Sequence, residues 1–397
     1  MNSKAYPPEW PFNDAMRAAA QRWQRRGLLT PAQQAAIEAA YPAAYYRPNS
    51  WVRVLLFGGT LLSIASTFIG ALFFVLIGLL ADNKYNELTY SILVLTGALV
   101  ALEWVIKNSR YYRSGVDNAL LYSALLAWNF AVYFITDNAT SGSFASPTLW
   151  LWLGPVLLAL IAALVRYADP VVAAGCFAAT LALLANALLQ SSVGRLLLPF
   201  GVMAATGALL LALRQLPTWV DYCYYRSAGL VLRTLGLAVL YLAGNYLVVR
   251  EGNAELLGGG GPSEQIPLAP LFYLFTAGIP LIYIGLGLRR HDRLLLLLGL
   301  LAVGFSLVTL RHYRALLPPE IAATAGGLGL ILLTLAALRY LRTPRHGLTA
   351  RADDEAAPPF NLESLVVAQT AHIPAAPATG FEFGGGHSGG GGAEGQF

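Results

Sequence analysis

Residues 54–80 read VLLFGGTLLSIASTFIGALFFVLIGLL, and this stretch decides the fold class of the chain. It contains 27 residues and no charged side chain. About 20 apolar residues in a helix, rising about 1.5 Å each, match a hydrocarbon core about 30 Å thick. Because no water reaches the middle of a bilayer, the backbone there must satisfy its own hydrogen bonds, as a helix does within one segment. The stretch therefore predicts a transmembrane helix.

Nine more apolar stretches follow this one, separated by short charged or Pro/Gly-rich breaks. Of the 397 residues 56% are hydrophobic and 12% are charged, against roughly 25% charged in soluble domains. We therefore predict an all-α, polytopic transmembrane bundle of about ten helices over residues 51–342. The predicted spans are 54–80, 88–106, 118–135, 148–165, 170–189, 196–213, 227–248, 268–288, 294–310 and 321–341.

The basic residues predict how this bundle is oriented. With these ten spans, 20 of the 26 Lys and Arg fall on the side that holds both termini, five fall on the other side, and Arg233 lies within a span. Basic residues flank spans on the cytoplasmic side, so both termini are predicted to be cytoplasmic. Arg311, His312 and Arg314 would then form a basic external loop, which leaves open that spans nine and ten form a re-entrant hairpin instead.

The positive net charge does not point to nucleic acid. The isoelectric point is about 9.1, but most of the basic side chains lie within a few residues of a span end, where they orient helices. The sequence therefore predicts no nucleic-acid binding. The partner that it does predict is the lipid bilayer.

Residues 1–50 precede the first span and are predicted to form a cytoplasmic helical hairpin. One helix is expected over about residues 13–26, stopped by Gly27, and a second begins at Thr30, an N-cap that is followed by a proline. No short apolar segment with a cleavage site is found here, so no signal peptide is predicted. Trp23 lies among arginines on the first helix. This face either lies on lipid head groups or packs on the second helix, and both remain open.

Residues 343–397 change to a polar, then Pro/Ala-rich and finally Gly-rich composition. Such a segment buries too little apolar area to offset its ordering entropy, and we expect it to be disordered when alone. Phe381, Phe383 and Phe397 nevertheless punctuate the glycines. They suggest a short element that docks a cytoplasmic or membrane protein partner, with a neutral tail as the alternative.

Part of the chain resembles a bacterial family. The motifs lie within about residues 20–80, and the remainder agrees only by hydropathy. They are Arg26-Gly27-Leu28-Leu29-Thr30-Pro31-Ala32-Gln33-Gln34, Trp51-Val52-Arg53 and Gly58-Gly59. This order resembles bacterial polytopic proteins of the DUF2157/DUF4401 type. The resemblance implies a multi-pass protein of the bacterial cytoplasmic (inner) membrane, and it implies no function for any residue.

Two charged residues lie more than two residues from either end of a predicted span, and such residues are the default candidates for function because a charge at mid-depth costs about 2.5–3.5 kcal/mol. Glu103 lies in span two and Arg233 in span seven, at similar depths from the cytoplasmic face. An ion pair between the two helices is therefore allowed. The alternatives are that Glu103 pairs with Lys107 on its own helix and that Arg233 extends toward the head groups.

Three asparagines, Asn129, Asn186 and Asn245, also lie within predicted spans. They either bind a substrate or hydrogen-bond between helices, and the second use is the more common one. Prolines interrupt spans four, six and eight, at Pro155, Pro199 and Pro280. Because broken helices mark the sites of many transporters, these prolines add slightly to a transport hypothesis.

No pattern of residues predicts an enzyme, a cofactor site or a metal site. The histidines lie in loops or the tail without ligand spacing. Cys176 and Cys223 fit neither a metal site nor a disulfide pattern, and we expect free thiols.

Two classes of function remain. The first is a structural, assembly or regulatory membrane subunit that docks a cytoplasmic partner, and we favour it. The alternative is a secondary transporter of a small solute, whose ten spans would divide into two groups of five with opposite orientations.

Overall fold

The computed structural model describes residues 4–78, 86–136, 146–256 and 265–313, together with a few single positions between 324 and 342; side chains in 67–86 are not described. The chain divides into two units, Met1–Ala336 and Ala337–Phe397. All features below belong to the first unit.

The described part of the chain is helical and contains no β-strand. One isolated backbone bridge joins Tyr46 and Tyr111, and a short 3₁₀ helix covers Leu216–Thr218. The α-helices are α1 Glu9–Arg25, α2 Pro31–Ala40, α3 Ser50–Gly78, α4 Asn86–Asn108, α5 Val116–Ile135, α6 Leu149–Tyr167, α7 Pro170–Leu189, α8 Gly194–Leu213, α9 Tyr222–Gly244, α10 Tyr246–Leu256, α11 Ala269–Arg290 and α12 Arg293–Tyr313.

Eight of the described helices, α4 to α9, α11 and α12, are long and apolar enough to cross a membrane. They correspond one to one to predicted spans two to nine and indicate a multi-pass membrane protein. Predicted span one is helical as part of α3, up to Gly78. Predicted span ten, 321–341, falls almost entirely outside the described residues, as does the tail with Phe381, Phe383 and Phe397.

Short connections bring consecutive helices together as neighbours. The pairs with the closest packing are α4 with α5, α6 with α7, α8 with α9 and α11 with α12. The connection between α6 and α7 is two residues long, and its Asp169 carboxylate caps α7 by accepting from the amides of Val171 and Val172 at 2.8 and 3.0 Å. Pro170 follows at the first helical position, where its missing N–H costs nothing.

The predicted N-terminal hairpin is present. Thr30 caps α2, and Thr30 and Gln33 form a reciprocal capping box. Gly27 has a φ of +71°, a left-handed conformation that stops α1. Arg17 on α1 pairs with Glu38 on α2 at 3.1 Å, so the first helix does pack on the second.

Predicted span seven, 227–248, needs correction. Helix α9 begins at Tyr222 and ends at Gly244, and the chain turns at Asn245 before α10 begins. Pro155, Pro199 and Pro280 lie inside α6, α8 and α11, and each of these helices continues past its proline. The break in a helix is therefore at Asn245, which lies three residues inside the end of predicted span seven.

Candidate functional site

The first polar centre is built around the carboxylate of Asp117, whose residue is 1% exposed. The phenol of Tyr6 donates to one oxygen at 2.6 Å, as does the amide of Arg113 at 2.8 Å. The other oxygen accepts from the amides of Ser114 and Gly115 and from the Ser114 hydroxyl, at 2.9, 3.2 and 3.1 Å. Five donors thus replace the water that the buried carboxylate has lost.

The loop before α5 is shaped to hold this carboxylate. Gly115 has a φ of +100°, and a Cβ there would lie 2.3 Å from the carbonyl oxygen of Arg53. Only glycine fits so close to the first turn of α3. Arg113 also has a positive φ, of 51°. We attribute this conformation to the hydrogen bond from its amide to Asp117.

The N-terminal segment is bonded to the same end of the bundle at further points. The amide of Ala5 donates to the carbonyl of Arg166 at 2.9 Å, and Lys4 forms an ion pair with Asp221. Arg166 ends α6 and Asp221 precedes α9. Residues 4–6 therefore bridge the ends of α5, α6 and α9.

The segment that follows α2 is attached to the bundle as well. The amide of Tyr46 donates to the carbonyl of Arg110 at 2.9 Å, and the amide of Tyr112 donates back to Tyr46 at 3.1 Å. The hairpin is thus hydrogen-bonded to the bundle at both of its ends, through residues 4–6 before α1 and through Tyr46 after α2.

An aromatic cluster fills the space between the hairpin and the helix ends. Its ring centroids lie 5.1–6.5 Å apart, a range in which aromatic pairs add stability beyond their buried area. The cluster is formed by Tyr6, Trp10, Tyr45, Tyr112 and Tyr167.

Burial and negative charge raise the pKa of the tyrosines in this cluster. Desolvation raises the pKa of Tyr6 well above its usual value of 10, and the nearby Asp117 carboxylate raises it further. Desolvation, followed by the charge of Asp14, raises the pKa of Tyr45 to about 12. Desolvation also raises the pKa of Tyr112. All three phenols therefore stay neutral at physiological pH.

Glu103 lies beside this cluster and does not pair with Arg233, contrary to the sequence hypothesis. Its Oε1 accepts from the Arg166 guanidinium at 2.7 and 2.9 Å and from the Tyr167 hydroxyl at 2.9 Å. Its Oε2 lies 3.4 Å from Lys107, the pairing within one helix that was the alternative. Arg166, in the last turn of α6, neutralises the Glu103 carboxylate. Arg233 on α9 is therefore not needed as its partner.

Arg233 instead pairs with Asp292, in the turn between α11 and α12. Helix α9 packs against both of these helices, which brings the turn within reach of the guanidinium. Asp292 also caps α12, accepting from the amides of Leu294 and Leu295 at 3.2 and 3.4 Å. The similar depth predicted for Glu103 and Arg233 therefore did not identify neighbours.

The second polar centre surrounds Asn245, which is fully buried. Its side-chain oxygen caps α10 through the amides of Leu247 and Val248, at 3.0 and 3.3 Å. The same oxygen accepts from the Thr309 hydroxyl on α12 at 3.1 Å. Its amide nitrogen donates to the Tyr241 hydroxyl at 2.9 Å. Of the two uses considered for Asn245, the structure has the hydrogen bond between helices.

Hydroxyls from α11 and α12 complete the second centre. The Tyr246 amide donates to the Thr276 hydroxyl at 2.9 Å, and the Ser306 hydroxyl lies 2.6 Å from the Thr276 carbonyl and 2.9 Å from the Tyr241 hydroxyl. Each of these groups has a partner. The network therefore satisfies the backbone and side chains that the helix break exposes.

The two other asparagines differ from each other. Asn186 is fully buried, donates to the carbonyl of Ser146 at 3.0 Å and accepts from Gln190 at 2.9 Å. Asn129 is half-buried. Asn129, Asn186 and Asn245 were grouped from the sequence, but within the described part of the chain only Asn186 and Asn245 make hydrogen bonds that hold segments together.

Sequence reasoning missed Asp117, Tyr6 and Asp292. Asp117 lies one residue before predicted span three and was treated as part of a loop. Its signal was the run Ser114-Gly115-Val116-Asp117, because glycine is favoured at an N-cap and an acidic residue is favoured in the first turn of a helix. Nothing in the sequence linked that run to Tyr6.

No protein-family model matches this chain, and neither a curated protein nor a solved structure is significantly similar to it. The resemblance to DUF2157/DUF4401 proteins therefore stays a prediction.

Proposed function

We propose that this chain is a membrane-embedded docking or assembly subunit whose N-terminal hairpin presents a binding surface to a cytoplasmic partner. The observation that carries the proposal is the attachment of the hairpin by the buried Tyr6–Asp117 hydrogen bond. A hairpin tied at both ends to the bundle presents its outer face in a fixed geometry. Such preorganisation lowers the entropic cost of binding.

The free face of the hairpin has the composition of a binding surface. Phe12, Trp23 and Leu28 are 45%, 42% and 68% exposed, and aromatic anchors bordered by arginine are typical of interaction hot spots. The exposed arginines near the tip are Arg22, Arg25 and Arg26.

The candidate polar groups inside the bundle support docking more than transport. Glu103, Arg233, Asn186 and Asn245 all bond to other protein groups in the described part of the chain. A solute would have to displace these bonds. Their use for attachment between helices agrees with a structural role.

We also propose the number of spans, the orientation, the location and the role of the tail, for which the described residues give no direct observation. We propose about ten spans with both termini in the cytoplasm, a location in the bacterial inner membrane, and no catalytic activity. The tail, with Phe381, Phe383 and Phe397, would offer a second docking element.

A crosslinking experiment tests the hairpin. A photoreactive amino acid replaces Leu28 in the full-length chain at native expression level, and adducts are identified by mass spectrometry. We expect one stoichiometric adduct that is lost on Trp23→Ala. Trp219→Ala is the matched control, because Trp219 is 56% exposed and lies before α9 at the same end of the bundle. Equal adduct recovery from wild type and Trp23→Ala would reject the hairpin as the docking surface.

Transport of a small solute is the second candidate, and the helix break at Asn245 favours it, because transporters bind substrates at broken helices. Purification from native membranes at endogenous level distinguishes the two. Stoichiometric partners support docking, and a lone protomer or homodimer supports transport.

A further inference from the structure

A cavity of about 510 Å³ lies between α8, α9, α10 and the start of α11. Its walls are aliphatic or aromatic along almost their whole length. They include Leu196, Val202, Val239, Ala243, Val249 and Phe272. The volume is within the range of about 300–1,000 Å³ that is typical of ligand sites.

The helix break at Asn245 builds this cavity. Helix α10 leaves the line of α9 there and contributes Val248, Val249 and Leu256 to the lining. The direction of α10 is fixed by its cap on Asn245 and by the bond from Thr309. The cavity is therefore held open by a fully bonded network, so its volume does not depend on the rotamer of a single side chain.

The described residues of the lining include few polar side chains, and one of these is charged. Arg195, in the first turn of α8, is exposed. Ser192 and Asn253 supply the other polar side chains. Among the described residues Arg195 has no ion-pair partner, and no Asp or Glu belongs to the lining. In the described part of the chain, the cavity thus combines a long apolar wall with a cation at the end of a span that has no carboxylate beside it.

We propose that this cavity binds an anionic phospholipid, with an acyl chain against the aliphatic wall and the phosphate at Arg195. A guanidinium binds phosphate oxygens through two parallel hydrogen bonds. Ser192 and Asn253 supply further donors. The end of a span is the depth of the lipid head groups, where a basic residue meets an anionic head group directly.

The aliphatic walls of the cavity favour a lipid over a soluble anion. A free phosphate gains nothing from aliphatic side chains, whereas an acyl chain removes its own apolar surface and theirs from contact with water. The choice of an anionic over a zwitterionic lipid follows from charge, because the described lining residues include a cation and no carboxylate.

The test uses the full-length protein in detergent and two lipids with identical acyl chains, phosphatidylglycerol and phosphatidylcholine. Native mass spectrometry counts bound lipid, and thermal melting reports stabilisation. We expect the wild type to prefer phosphatidylglycerol and Arg195→Gln to bind it about tenfold more weakly, the scale of one lost charge-assisted contact. Arg214→Gln is the matched control, because Arg214 is exposed at the other end of the same helix.

A second pair of variants tests the acyl-chain part. Ala243→Leu narrows the cavity and should weaken both lipids, whereas Ala204→Leu, exposed on α8 outside the lining, should change neither. Three outcomes would overturn the proposal. They are an unchanged lipid preference in Arg195→Gln, an equal loss in Arg214→Gln, and stabilisation by inorganic phosphate alone that matches phosphatidylglycerol.

Discussion

The hydroxyl of Tyr6 donates a 2.6 Å hydrogen bond to the carboxylate of Asp117, 111 residues further along the chain. This bond joins the N-terminal segment to the start of α5. The hairpin and the bundle therefore belong to one compact unit, Met1–Ala336. A partner that pulls on the hairpin would act on the helix ends that hold Arg166 and Asp221.

Loss of the Tyr6 hydroxyl should loosen the N-terminal segment. A hydrogen bond to a buried charge contributes about 1.5–3 kcal/mol, so Tyr6→Phe should speed amide exchange in residues 4–14 about 10- to 100-fold. Hydrogen–deuterium exchange in detergent measures this. Tyr41→Phe is the control, since Tyr41 packs on Phe12 through its ring. Equal protection in wild type and Tyr6→Phe would contradict the anchoring role.

The attachment of the segment should also weaken at alkaline pH. The pKa of Tyr6 in the docked state lies well above 10, its value in a free chain. Stability from this group is therefore complete below pH 10 and is lost as the pH rises from there through the docked pKa. The pKa values of Tyr45 and Tyr112 are raised as well. Limited proteolysis of residues 4–46 at pH 8 to 11 should show faster cleavage above pH 10, and a flat profile would reject this linkage.

The hydropathy pattern was enough to predict the spans, because the match between apolar length and bilayer thickness is a local property. Predicted span 170–189 agrees with α7 at both ends. The same reasoning failed at span 227–248. Aromatic residues extend α9 back to Tyr222, and Asn245 ends it because its side chain caps the next helix. Hydropathy does not detect a cap inside an apolar stretch.

The candidate site was harder to predict because pairing depends on which helices are neighbours. Glu103 and Arg233 were correctly identified as charges that need partners. The partners are Arg166 on α6 and Asp292 between α11 and α12. They belong to different helix pairs, and nothing in the spacing along the chain reveals this. Asp117 was missed for a related reason, since its main side-chain donor comes from Tyr6.

Double-mutant cycles should show these pairings. Arg233→Gln and Asp292→Asn should couple by at most about 1 kcal/mol, because the side chains are 39% and 17% exposed. The asparagine in Asp292→Asn can still cap α12, so the cycle measures the charge interaction alone. Arg233→Gln and Glu103→Gln should add within about 0.5 kcal/mol. Thermal melting in detergent measures each variant. Strong coupling of Arg233 to Glu103 would contradict the structure.

Replacement of Asn245 should destabilise the protein far more than the same change at Asn129. Asn245→Leu removes a helix cap, and Tyr241 and Thr309 each lose one of their hydrogen-bond partners, a cost of about 2–4 kcal/mol. Asn129→Leu removes a half-buried amide and should change stability by less than about 0.5 kcal/mol. Melting temperatures of the two variants test this. A smaller loss at Asn245 than at Asn129 would show that the network does not hold the helix break.

The native cysteines allow a test of orientation. Cys223 lies in the first turn of α9, beside the residues that bind the N-terminal segment, and is half-buried, whereas Cys176 is buried. If this end faces the cytoplasm, a membrane-impermeant maleimide should label Cys223 in inverted vesicles and not in intact cells. Cys223→Ser should abolish the labelling, since Cys176 is inaccessible.

An added cysteine provides the opposite signal. Ser192 is exposed in the turn between α7 and α8, at the other end of these helices. In a Cys223→Ser background, Ser192→Cys should therefore be labelled in intact cells. The basic residues near the Cys223 end, among them Arg214 and Arg226, predict this result because such residues stay on the cytoplasmic side. Labelling of Cys223 in intact cells, with protection of the cysteine at position 192, would reverse the orientation and place the hairpin outside the cytoplasm.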